Sequence, residues 1–115
     1  MNSREKGKRG EREVAAVCRY FGYDARRGQQ YCGIDGAADV IGLPGFHVEV
    51  KYREKLNIDE ALAKTTAEAK GKIPIVVHKR NGEKLKVTMW FDANFFDLVR
   101  EYIAGDGNLI LREGK

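Results

Sequence analysis

At 115 residues, 43% hydrophobic and 33% charged, the chain has the composition of a single globular domain with a modest core. No apolar stretch approaches the roughly 18 residues that cross a bilayer as a helix, so a membrane-spanning helix is excluded. The net charge is +4, and its excess lies in residues 1–27, where eight Lys/Arg (Arg4, Lys6, Lys8, Arg9, Arg12, Arg19, Arg26, Arg27) face four acids (Glu5, Glu11, Glu13, Asp24). Two readings stand: a basic cluster meeting a polyanion such as nucleic acid, or a solvated basic arm, here residues 1–8, without a specific partner. The charged N-terminus carries no apolar segment of a secretory signal, so the expected location is cytoplasmic.

Residues 10–21 read as the first helix, with Val14, Val17, Cys18 and Phe21 at helical spacing and Gly22 as its stop. Glu11 extends this stripe backwards. It is either a first-turn acid favoured by the helix dipole or an acid pointing inward toward a metal or a catalytic water. Tyr23 to Arg27 is expected as a strand, and Gly28 to Ala37 as a glycine-rich loop. In that loop Gln29 and Gln30 are candidate contacts to DNA or ordinary polar loop residues. Cys18 reads as a buried thiol and Cys32 as a loop thiol. With His47 and His78 they are too few and too poorly spaced for a zinc site.

A hairpin follows. Asp39 opens a short apolar strand, Leu43-Pro44-Gly45 turns the chain, and Phe46 to Tyr52 alternates. The period of two puts Phe46, Val48, Val50 and Tyr52 on one face and His47, Glu49 and Lys51 on the other. A second helix is expected over Ile58 to Lys70. Ile73 to Val77 reads as a strand buried on both faces, with Pro74 tolerated near its start. Asn81-Gly82 predicts a hairpin into a strand over Lys84 to Phe91. A third helix spans Ala93 to Ile103, capped by Asp92 or Asn94, and a weakly structured tail occupies 105–115, with a short strand at Leu109–Leu111. The order is helix, three strands, helix, two strands, helix: an α/β domain with a mixed central sheet flanked by helices.

The hairpin can bring Asp39, Glu49 and Lys51 together. Two carboxylates and an ammonium suit a hard divalent cation and an activated water, the requirements of phosphodiester hydrolysis. In that reading Asp39, Glu49 and the Val50 carbonyl are metal ligands. Lys51 orients or deprotonates the water and offsets charge on the phosphorus. A Glu-x-Lys on a solvated strand face is the common alternative.

Four segments carry a resemblance. Gly7-Lys8-Arg9-Gly10-Glu11-Arg12-Glu13, Phe21 to Arg27, Ala38 to Ile41 and Val48-Glu49-Val50-Lys51 resemble, in order and spacing over residues 7–104, the PD-(D/E)XK nucleases. Within that superfamily they are most similar to the archaeal-type and phage Holliday junction resolvases. The resemblance implies a restriction-endonuclease-like fold and one nuclease domain over 1–115. It implies Glu11, Asp39, Glu49 and Lys51 as catalytic or metal-binding residues, with Glu11 reaching the metal directly or through water. Arg12 and Arg27 become phosphate contacts within a DNA-binding set of Lys8, Arg9, Arg12, Arg26, Arg27, Gln29 and Gln30. Mg2+ is the implied cofactor, replaceable by Mn2+. The implied partner is DNA, as four-way junctions bound by a homodimer and nicked on opposed strands. Trp90, Phe95, Phe96 and Tyr102 are candidate interface aromatics. The chain departs from the family pattern at Ala38, where Pro is usual, and at Gln29, Gln30 and Tyr31, where the family often has Ser. Another endonuclease of the same fold, a non-catalytic nucleic-acid-binding subunit and a purely structural module are the alternatives.

Overall fold

The computed structural model describes residues 3–28 and 38–106, with side chains placed for 4–28 and 38–100. Its elements are α1 (Ser3–Tyr20), β1 (Arg26–Arg27), β2 (Val40–Ile41), β3 (Phe46–Tyr52), α2 (Ile58–Glu68), β4 (Ile73–Lys79), β5 (Lys86–Thr88) and α3 (Ala93–Asp106). The five strands form one sheet in chain order. β1–β2, β2–β3 and β4–β5 are antiparallel, whereas β3 and β4 are parallel over their full lengths, from Phe46 beside Ile73 to Tyr52 beside Lys79. α2 makes the crossover between those parallel strands, as a parallel pair requires.

The alternation of β3 sorts its residues as expected. Val48 and Val50 join Val14 and Ala15 of α1, Ala25, Val40, Ile75 and Val77 in the main core, with Phe46 packed against it. On the other face Val76 meets Ala61 and Leu62 of α2. Ile73 to Val77 is thus covered on both faces. The His47 and Glu49 face is buried as well, at 5% and 9% exposure. The strand does not present a solvated Glu-x-Lys.

Two expectations about α1 are corrected. The helix starts at Ser3, so most of the segment read as a basic arm is helix. Glycine is a weak helix former, yet Gly7 and Gly10 both lie within α1. Lys6 pairs with Glu54 across 3.4 Å, and Gly10 serves packing. A Cβ on Gly10 would lie 2.7 Å from the Tyr52 ring, so this glycine lets α1 lie directly on β3. Val17 and Phe21, read as inward, are 45% and 71% exposed. β1 is two residues long, and the sheet ends before the helix does. Cys18 is half-buried rather than enclosed, and burial raises its thiol pKa.

The close approach of α1 yields a paired prediction. Gly10→Ala should lower the melting temperature, although glycine to alanine in an open helix stabilises by about 1 kcal/mol. The Tyr52 ring cannot move freely, because its hydroxyl donates to Glu13 and Lys79 lies 4.9 Å above its face. Gly7→Ala meets nothing within 4 Å and should raise the melting temperature. Thermal unfolding of both variants checks the sign.

The remaining elements follow local chemistry. Gly45 ends the Leu-Pro-Gly turn at φ 83°, and Gly82 turns the β4–β5 hairpin at φ 77°. Asp92 is the cap of α3, its Oδ1 accepting from Asn94 N at 3.0 Å. β5 and β1 are shorter than expected, and β4 runs two residues further, to Lys79. Gln29, Gln30, Tyr31, Cys32 and the tail with Leu109–Leu111 lie outside the described residues, as does the side chain of Tyr102. No helix of the described residues is long and apolar enough to cross a membrane.

Candidate active site

Asp39, Glu49 and Lys51 come together where β2 meets β3. Asp39 is 6% exposed and immediately precedes β2. Its N–H donates to the Val48 carbonyl at 2.9 Å, and its Oδ2 accepts from Val50 N at 2.9 Å. Both bonds join it to β3, so the carboxylate is fixed by the hairpin register itself. Glu49 points to the α2 face of β3, and Lys51, two residues on, reaches its Oε2 at 3.4 Å.

Glu11 arrives from α1, one residue after the glycine that allows the close approach. Arg27 Nε on β1 donates to its Oε1 at 2.9 Å. Arg27 therefore positions Glu11, while a third of its side chain remains exposed to other partners. Burial raises the Glu11 pKa, the Arg27 hydrogen bond opposes this, and the Asp39 charge adds to the rise. Arg12, exposed on the next residue of α1, also acts on Glu11 electrostatically. Glu11 is thus partly buried between α1 and β1, with 17% of its side chain exposed.

Glu49 is the most perturbed of these acids. Burial and the neighbouring Asp39 charge push its pKa up to about 7, against the attraction of Lys51, and Glu68 adds a further rise. Asp39 acts on both Glu11 and Glu49, so the three carboxylates form one electrostatic unit. Lys51 and Arg27 are the cations paired into it.

Two residues of this region were missed in the sequence. His47 stands two positions before Glu49 on the same face of β3, and Glu68 ends α2 above that face. One potential ligand atom from each of His47, Glu49 and Glu68 lies within 4.8 Å of the others. Burial lowers the His47 pKa, opposed by the charges of Glu68 and Asp39. The strand period already put His47 beside Glu49, but nothing in the helix pattern singles out Glu68.

The other basic residues are spread along α1 and β1. Lys8 sits 4.0 Å from Glu5, and Arg26 sits 3.9 Å from Asp24. Arg9 lines a separate cleft of about 300 Å3 with Lys6, Tyr52, Lys79, Asn81 and Gly82. Among the aromatics, Trp90 and Phe96 are 43% and 48% exposed, while Phe95 is half-buried against Phe91 and Phe96.

The architecture is a restriction-endonuclease-like α/β fold, a mixed five-stranded sheet flanked by helices. A solved structure that shares it is Hjc of Archaeoglobus fulgidus, a Holliday junction resolvase from an archaeal hyperthermophile. The two align with a TM-score of 0.51 over 70% of this chain and 73% of that one, at 21% identity. No family model and no curated protein sequence matches this chain.

Proposed function

We propose that the chain is a divalent-metal-dependent, structure-selective DNA endonuclease that resolves four-way junctions. The observation that carries this reading is the Asp39–Glu49–Lys51 group, with both carboxylates buried. Asp39 is locked to Val50 N at 2.9 Å and Lys51 lies 3.4 Å from Glu49.

The donor set fits Mg2+. Burial first, and then the Asp39 charge, push the Glu49 pKa up to about 7 against the pull of Lys51, so a cation between the two carboxylates would relieve their repulsion. Their oxygens are the hard ligands that Mg2+ takes, the remaining positions being filled by water. Asp39, Glu49 and the Val50 carbonyl would hold the ion, with Glu11 joining directly or through water. A metal ion so held supplies Lewis-acid polarisation of the phosphate and a more acidic water.

The protein groups have separable roles. Lys51 orients the attacking water and places a positive charge beside the phosphate as negative charge develops. Arg27 keeps Glu11 turned into the site. The cations of α1 and β1, Lys8, Arg9, Arg12 and Arg26, with Gln29 and Gln30, meet neighbouring phosphates, which dominate DNA affinity. The likeness of fold to a Holliday junction resolvase supports a branched substrate. A homodimer with two sites related by a twofold axis matches the symmetry of a four-way junction.

The test is cleavage of a synthetic four-way junction with Mg2+, run beside linear, splayed and flapped DNA. Paired nicks on opposed strands of the junction, in preference to the other substrates, are expected. Cleavage of none of them overturns the nuclease reading. Preferential cutting of linear duplex removes the resolvase assignment alone.

A further inference from the structure

We propose that His47, Glu49 and Glu68 form a second cation site, which takes a first-row transition-metal dication such as Zn2+ or Mn2+. One ligand atom from each of the three lies within 4.8 Å of the others, a separation that small side-chain rotations close onto one ion. Two acids near each other would not suffice. The independent observation is His47, which is 5% exposed and whose Nε2 finds no hydrogen-bond partner among the described residues. Buried polar side-chain atoms are overwhelmingly paired, and an exception calls for an unseen water or ion.

The backbone explains why the three converge. His47 and Glu49 are alternate residues of β3 and share its α2-facing side. α2 turns Ala61, Leu62 and Thr65 toward the sheet, and Thr65 is 1% exposed with its hydroxyl donating to the Ala61 carbonyl at 2.8 Å. Glu68 lies three residues after Thr65 on that inward side, so the last turn of α2 delivers a carboxylate over His47 and Glu49.

Donor chemistry selects the ion. An imidazole nitrogen with two carboxylates suits Zn2+ or Mn2+, whereas Mg2+ keeps to oxygen ligands and water. The donor set assigned to Mg2+ (Asp39, Glu49 and the Val50 carbonyl) contains only oxygen. Glu49 belongs to both sets and can offer one oxygen to each. The inference rests on the nuclease reading only for the meaning of that sharing, since the donor geometry holds whether or not the chain cuts DNA.

The chain has two histidines, which provides an internal control. His78 Nε2 is within 2.9 Å of Thr88 Oγ1 on the β4–β5 ladder and belongs to no such cluster. In the full chain under saturating Mg2+, Zn2+ should shift the imidazole C–H proton NMR resonances of His47 and leave those of His78 in place. The shift should persist in Asp39→Asn. Glu68→Gln, on a half-buried helix end, should weaken Zn2+ binding by at least about tenfold, and His47→Asn should do the same. Unmoved His47 resonances, undiminished affinity in Glu68→Gln, or loss of the response in Asp39→Asn would each overturn the second site. Absence of DNA cleavage beside an intact His47 response sinks the nuclease reading alone, and cleavage without that response sinks this inference alone.

Discussion

Asp39→Asn should reduce Mg2+-dependent cleavage by about a thousandfold or more, while leaving the melting temperature unchanged or raised. Loss of a metal ligand removes several kcal/mol of charge stabilisation in the transition state, and about 4 kcal/mol corresponds to that factor. The structural argument for an intact fold is specific. Asp39 Oδ2 accepts from Val50 N, and the amide oxygen of asparagine can accept the same bond. Meanwhile the negative charge that pushes both Glu11 and Glu49 upward disappears. An acid whose only service is to hold the hairpin would show the opposite pattern, with stability lost and any activity falling in proportion. Cleavage kinetics and thermal unfolding on the same preparation separate the two. Substantial cleavage by Asp39→Asn would remove Asp39 from the site.

Much of this site was legible in the sequence because β3 is a strict alternation. Once the strand was recognised, the period of two fixed which residues share a face, and the Leu-Pro-Gly turn fixed which neighbour lies alongside. The burial of β4 on both faces followed from an apolar run too continuous for a half-solvated strand. What the pattern could not supply was burial. A Glu-x-Lys on an edge strand and one beneath a helix look alike in sequence, and only α2 lying over the strand distinguishes them.

The helical readings were weaker for a related reason. Helical spacing reveals a stripe but not where the sheet beneath it stops. Val14, Ala15 and Cys18 face β-structure, whereas Val17 and Phe21 pass beyond the two-residue β1. Gly10 was read near a helix start, yet its missing side chain is what seats α1 on Tyr52 and brings Glu11 beside Asp39. The resemblance implies Arg27 as a phosphate contact. Its place against Glu11 depends on β1 lying next to α1, a long-range relation that local sequence does not encode.

The second large effect concerns Glu49 and pH. Its carboxyl is raised from 4.5, the ordinary value, to about 7 in the fold, chiefly by burial and then by Asp39. The folded chain therefore holds this proton more tightly than the unfolded chain does. Stability from the group is fully present below pH 4.5 and is lost as the pH rises through 7. Each pKa unit corresponds to about 1.36 kcal/mol, and partial solvent access reduces the total to about 2 kcal/mol. Glu49→Gln cannot ionise. In metal-free buffer it should match the wild type in acid and exceed it by about 2 kcal/mol near pH 8. His47, whose pKa burial lowers from 6.5, is neutral in both proteins near pH 8, where the difference is read. Saturating Mg2+ should reverse the order at high pH. Ligand binding stabilises the folded wild type by mass action, and Glu49→Gln lacks the carboxylate through which that gain arises. Denaturant unfolding of both proteins across this pH range, with and without Mg2+, gives the comparison. A difference that is flat with pH would show that the Glu49 carboxyl is not raised by the fold, and a Mg2+ gain equal in the two proteins would show that it is not a metal ligand.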